Sequence, residues 1–206
     1  MTKKGLNQND IYVQELINSM EPDFIFSNEP INRFRRNGNV ENNINKDKYE
    51  HLKNLKKKIN SIENCNLKDN SKNLIMGDGN IDSSIMLVGD TPGLIEDESG
   101  YSYQGEIGAL LKKMLLAINI KIENIYSTYS INFRPPKDRK PTTQEIKRYS
   151  VFLKEHISII DPKIVILMGS TAMESVAGLN SKISSVRGKW KEIILKNKTF
   201  PLMITF

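Results

Sequence analysis

The chain has 206 residues, 38% hydrophobic and 26% charged, with a net charge of +6 and a pI near 9.2. That is enough for one α/β domain with a proper core and a modest appendage, and the charge permits a polyanionic partner without requiring one. No run approaches the roughly 18 apolar residues of a membrane span and MTKKGLNQND lacks the apolar core of a signal peptide, so the expected location is the cytoplasm, with no membrane partner.

Residues 9–20 read as a helix capped by Asn9 or Asp10, with Ile11, Leu16 and Ile17 as its stripe and Pro22 ending it. Residues 21–46 are rich in Asn, Pro, Arg and Gly and read as a linker. The expected domain boundary follows at 46/47, with an N-terminal helix and linker before it and one folded domain over 47–206. A lysine-rich helix from about Lys46 to Ile62 carries Leu52, Leu55 and Ile59 on one face. After a turn-rich loop, Ile85–Val88 has the continuous apolar character of a strand buried on both faces.

From there the order is strand, helix, strand, helix, strand, helix, strand. The helix over 107–118 shows Leu110, Leu111, Met114 and Leu115, and a strand spans 125–131. Thr142 and Glu145 form a capping box for a helix running to Ile160, which Asp161-Pro162 ends. Ile164–Met168 is a strand that meets Gly169-Ser170 and a short helix to Val176, and Pro201–Phe206 is a last apolar run. This alternation predicts an α/β fold: a three-layer αβα sandwich around a mainly parallel, four-stranded sheet. Ligands bind such sheets beyond the carboxyl ends of the strands.

That places Gly89–Gly93, the 132–140 loop, Gly169-Ser170 and whatever follows Phe206 on one rim, and three segments carry candidate chemistry. In GDTPG (Gly89–Gly93), Asp90 follows the first strand directly. Its glycines either make a tight turn or form a shelf aiming the carboxylate and backbone amides at a ligand. SINFRPPKDRKPT gathers Arg134, Lys137, Arg139 and Lys140 among prolines, as a phosphate-contacting loop or an ordinary solvated one. ISSVRGKW brings Arg187 and Lys189 beside Gly188 and Trp190, for a backbone approach or a packed turn. Cys65 is the only cysteine, which excludes an intrachain disulfide, a cysteine-based zinc site and a four-thiolate iron–sulfur cluster. Of the two histidines, His156 falls within a helical apolar pattern and reads as structural.

Taken in order, GDTPGLIEDESGYSYQGEIGALLKKML, IYSTYSINFRPPKDRKPTTQE, ILMGSTA and VRGKW resemble the motifs of the uracil-DNA glycosylase superfamily over about residues 60–206. The nearest likeness is to its family-4-like bacterial branch, some members of which are labelled phage-type DNA polymerase fragments. The resemblance implies hydrolysis of the N-glycosidic bond of deoxyuridine in DNA, with the base flipped into a pocket and uracil as product. It places Asp90 as the carboxylate that orients or activates water. It assigns the base pocket to Gly89, Thr91, Pro92, Gly93, Tyr103 and the positions of Tyr129 and Asn132, and DNA contacts to Arg134, Lys137, Arg139, Ser170 and Arg187.

The departures are specific. Aspartate replaces the family's usual glutamate at position 90, and Tyr129 stands where the family has an asparagine that reads uracil. Phe133 and Tyr149 occupy two of the four cluster-cysteine positions, and Cys65 matches a third, so a cluster-free, cofactor-free monomer is expected. The sequence stops at PLMITF, where the family's His-Pro motif begins, so the expected domain is cut short and its glycosylase activity impaired. Two further readings stand beside this one: a DNA-binding module that does not cut, and a decayed gene product.

Overall fold

The computed structural model describes residues 38–178 and 181–206. The helix expected over 9–20 and most of the expected linker lie outside the described residues. Helix α1 (Gly38–Asn60) begins well before Lys46, inside the stretch read as linker. Its anchor is the apolar stripe that buries Leu55 and Ile59. Once that nucleus forms, each further residue adds a hydrogen bond at little cost, so Asn-rich sequence of middling propensity continues the helix.

The chain continues through α2 (Asn66–Asp69), β1 (Asp78–Gly79), β2 (Ile85–Gly89), α3 (Leu94–Ser99), α4 (Gly105–Ala117) and β3 (Tyr126–Tyr129). It then forms α5 (Thr143–Ile160), β4 (Ile164–Met168), α6 (Ser170–Ala177), α7 (Ile183–Val186), β5 (Trp190–Leu195) and β6 (Lys198–Thr205). The sheet order is β1-β3-β2-β4-β6-β5. The four expected strands form its parallel centre, and β1 and β5 pair antiparallel at the two edges, bringing the sheet to six. Neither edge strand carries a strong signal. β1 has two residues, and β5 reaches β6 through Lys196 and Asn197, both at positive φ, a hairpin turn made without glycine.

Alternation along each strand divides the core. Met86 and Val88 of β2 pack with Val165 and Leu167 of β4 and Leu202 and Ile204 of β6 beneath Leu153, Ile157 and Ile160 of α5 and Met173 and Val176 of α6. Leu87 faces the other way, onto Leu115 of α4 and Ile125. A third cluster joins α1 and α2 to α5, with Leu55, Ile59, Ile62, Cys65 and Leu67 meeting Ile131, Phe133, Ile146 and Tyr149. The capping box at α5 is present in both directions: the Glu145 amide donates to Thr142 Oγ1 at 3.3 Å, and the Thr142 amide donates to Glu145 Oε2 at 2.7 Å.

Register then sets the rim. Gly89 of β2 lies opposite both Tyr129 of β3 and Met168 of β4, and Met168 lies opposite Thr205 of β6. One row across the sheet therefore ends four parallel strands at the same level, with Asp90, Ser130, Gly169 and Phe206 emerging just beyond it.

His156 is structural, as its pattern suggests. It is buried, its Nε2 lies 2.9 Å from Tyr126 Oη, and desolvation lowers its pKa from 6.5 to about 3. Between these pH values the unfolded chain binds a proton that the folded one refuses, so stability falls as pH drops below 6.5. This residue is expected to remove about 2 kcal/mol of stability between pH 7 and pH 5, at ~1.4 kcal/mol per pH unit below its unfolded pKa. Urea denaturation at the two pH values measures the drop, and His156→Gln should lack that component.

Candidate active site

The residues that leave the rim enclose a cavity of about 450 Å³, within the range of small-molecule sites. Gly89, Asp90, Thr91, Pro92 and Gly93 form one wall, and Tyr103 and Tyr129 line it as well. Ile107, Leu110, Leu111 and Met114 of α4 form an apolar wall, and Met168, Phe206, Glu96 and Asp138 complete the lining.

Asp90 is fixed from two sides. The Ser130 hydroxyl donates to its backbone carbonyl, and the Ala172 amide donates to its Oδ1 at 2.8 Å. The carboxylate therefore sits on the first turn of α6, whose cap position, Gly169, has no side chain to offer. Burial raises the Asp90 pKa, while hydrogen bonds from Ala172 and Thr171 and the charge of Lys140 oppose the rise. Gly169 makes the arrangement possible. It sits at φ +112, and a Cβ there would lie 2.3 Å from Asp90 Oδ1.

The acidic residues after the shelf are scaffold. Both Glu96 oxygens accept backbone N–H groups, from Gly93 and Gln104 at 3.0 Å each. Asp97 is buried and accepts the amides of Lys72 at 2.9 Å and Asn73 at 3.1 Å. The shelf is thereby tied to α3 and to Gln104, the residue after Tyr103, while α3 is tied to Lys72 and Asn73.

Tyr103 and Tyr129 stack, with ring centroids 4.9 Å apart and 24° between planes. The Tyr103 amide donates to Tyr129 Oη at 3.1 Å. Gly89 admits both rings, because a Cβ there would come within 2.5 Å of Tyr103 Oη and 3.0 Å of the Tyr129 ring. Burial pushes both phenols well above their ordinary pKa, so each keeps its proton at neutral pH.

The structure thus gathers Gly89, Asp90, Thr91, Pro92, Gly93, Tyr103 and Tyr129 around one cavity. Asn132 is not among its lining residues. Its side-chain amide donates to the Ile75 carbonyl at 2.9 Å, deep in the fold. Arg134 grips Asp138 through two bonds of 2.7 Å, and Arg139 grips Glu145 through bonds of 2.9 and 2.7 Å. Arg139 and the Thr142 amide hold Glu145 down at a pKa of about 2. Lys137, Ser170 and Arg187 are exposed, and the Arg187 guanidinium lies 4.2 Å over the Phe206 ring.

Sequence reasoning put Gly169 on the rim without giving it a role, and did not assign Glu96, Phe206 or the α4 wall to the site. Ile107 completes an i, i+3, i+4, i+7 series with Leu110, Leu111 and Met114, and that spacing is the signal that finds the wall.

The corner where the resemblance places an iron–sulfur cluster does not fit one. Such a cluster takes four thiolates and the sequence has one cysteine, while no metal-binding group of acids, cysteines and histidines occurs among the described residues. Cys65 Sγ lies 3.2 Å from Tyr149 Oη, and Tyr149 meets Phe133 edge-on at 6.3 Å within the apolar cluster. Incubation with iron and sulfide is expected to add no charge-transfer absorption and to leave the melting temperature unchanged.

Gly169→Ala is expected to lose about 1–3 kcal/mol from backbone strain alone. The clash with Asp90 adds to that loss, so thermal unfolding should show a larger effect than for Gly178→Ala. Gly178 also has positive φ, at +64, but a Cβ there meets nothing within 4 Å.

The family model described as "Uracil DNA glycosylase superfamily" matches residues 76–205. The chain is similar to the type-4 uracil-DNA glycosylase of Thermotoga maritima, 37% identical over 125 residues, or 60% of this chain and 65% of that one. It spans just under two thirds of that relative's length. The type-4 uracil-DNA glycosylase of Archaeoglobus fulgidus is 32% identical over 148 residues, covering 70% of this chain and 74% of that one. A DNA polymerase of Bacillus phage SP01 is 30% identical over 138 residues, 66% of this chain and 15% of that protein. With the family model covering more than half its length, the chain belongs to the uracil DNA glycosylase superfamily.

Proposed function

We propose that this chain is a DNA-repair glycosylase that hydrolyses the N-glycosidic bond of deoxyuridine, and that it releases uracil slowly. The observation that carries the reading is Asp90, a carboxylate fixed at the floor of a cavity large enough for a nucleobase. The names of the type-4 relatives supply the substrate. In this reading the base leaves the helix and enters the cavity. Asp90 orients a water for attack on C1′, and its charge favours the cationic sugar that forms as the bond breaks. The pair of electrons from that bond stays on the base.

Slow release follows from what the cavity offers that electron pair. Among the described lining residues none is Lys, Arg or His, and the amides of Gly93, Tyr103 and Gln104 already have acceptors. Losing one positioned donor commonly costs about 100- to 1,000-fold in rate. Lys137, Ser170 and Arg187 meet the DNA backbone in this reading, while Arg134 and Arg139 stiffen the basic loop through their carboxylate forks. The chain acts as a monomer without a metal cofactor. No helix among the described residues is long and apolar enough to cross a membrane, and the reading places the protein in the cytoplasm.

Asp90 also caps α6, and the two roles separate experimentally. Asparagine can still accept the Ala172 amide but carries no charge. Uracil release from a single-stranded oligonucleotide should therefore fall at least about 100-fold in Asp90→Asn, with the melting temperature nearly unchanged. Release at the wild-type rate by Asp90→Asn would reduce Asp90 to a helix cap.

A further inference from the structure

A second cavity, of about 370 Å³, lies between α5 and α6 and shares no lining residue with the first. Thr143, Lys147, Ser150 and Lys154 reach it from α5, at the i, i+4, i+7, i+11 spacing of one helix face. Glu174 and Ser175 reach it from α6. Its charged lining is thus two lysines against one carboxylate. Neither lysine makes an ion pair among the described residues, with Glu174 or with any other acid.

Ser175 shows that the groove is more than a solvated cleft. The residue is 1% exposed, and its Oγ is the one buried side-chain polar atom without a hydrogen-bond partner among the described residues. Buried polar groups in folded proteins almost always have a partner. A hydroxyl left over in the lining of a cavity points to a partner that arrives from outside.

We propose that this groove binds a phosphate group through Lys147, Lys154 and the Ser175 hydroxyl. A phosphate presents several oxygens to donors, and flexible ammonium groups are its point-charge partners. Lys147 and Lys154 stand about 10 Å apart along the helix axis, a gap that their long stems close onto one phosphate or two neighbours. The Ser175 hydroxyl turns freely about its C–O bond and has a hydrogen to give. The DNA backbone is the source that the fold favours. Both helices begin at the rim, and exposed Lys137 and Lys140 stand in the loop just before α5, so cations continue from the rim down this flank. That source rests on the DNA-repair reading, whereas the phosphate chemistry does not.

The test measures binding of the full chain to an undamaged duplex oligonucleotide across a range of salt concentrations, so the result is independent of uracil release. Lys147→Gln/Lys154→Gln should weaken binding at least about tenfold at low salt and reduce the slope of log affinity against log salt by about 2. Glu174→Gln should tighten binding. Lys121→Gln/Lys163→Gln removes two exposed lysines that precede β3 and β4, at the end of the sheet opposite the rim, and should leave the slope nearly unchanged. An equal fall in both double variants would reduce the effect to net charge and overturn the site.

Ser175→Ala removes an unpaired buried hydroxyl, so the melting temperature should hold or rise while affinity falls about three- to tenfold. Unchanged affinity in Ser175→Ala would take the hydroxyl out of the site. Inorganic phosphate supplies the other arm. If it raises the melting temperature of the full chain but not of the double-lysine variant, and the DNA slopes of the two agree, the groove holds a free phosphate and the DNA backbone is not its source. No response to phosphate, together with equal DNA slopes or no DNA binding, would overturn the proposal.

Discussion

A carboxylate resting on the first turn of a helix is the arrangement from which the rest of this site follows. Asp90 leaves β2 and its Oδ1 takes the Ala172 amide, so the strand end and the start of α6 are one electrostatic unit. Burial alone would favour the neutral acid, and the amides of Ala172 and Thr171 and the charge of Lys140 pull the other way. The unit needs Gly169 for two reasons: the backbone there is at φ +112, and a side chain would enter the carboxylate. Because β2, β3, β4 and β6 finish in register, fixing Asp90 against α6 also fixes how the shelf meets Tyr129, Met168 and Phe206.

Around that carboxylate the cavity is furnished by hydrogen-bond commitments more than by shape. Glu96 holds the shelf and the residue after Tyr103 by engaging the amides of Gly93 and Gln104. Tyr129 does the same for the amide of Tyr103. Each commitment makes the wall rigid and also removes a donor from the space a ligand would occupy. Rigidity and reading ability therefore trade against each other here.

How far the sequence reveals this depends on the range of the interaction. The central strands, the capping box at Thr142 and the rim position of GDTPG rest on local patterns, and they are legible. The edge strand β5 turns through Lys196 and Asn197, residues without the usual turn signature, so pairing with β6 decides it. Asn132 carries a recognition-type side chain, yet its partner Ile75 lies 57 positions away in the sequence. Arg134 and Arg139 read as free cations because their forks depend on how the loop bends through the left-handed residues Lys137 and Asp138. Helix α4 shows one continuous apolar stripe, whereas the fold sends Leu115 into the core and leaves Ile107, Leu110 and Met114 on the cavity. Periodicity marks a face as apolar without saying what will lie against it.

The corner formed by Cys65, Phe133 and Tyr149 ties α1 and α2 to α5 with side chains alone. A domain fastened there by four thiolates and iron would depend on metal delivery, and peroxide or scarcity would loosen it. Here the fastening is made by the ribosome's product unaided, and its one thiol is buried. The corner's closure rests on the burial of apolar side chains, which no change in iron supply alters.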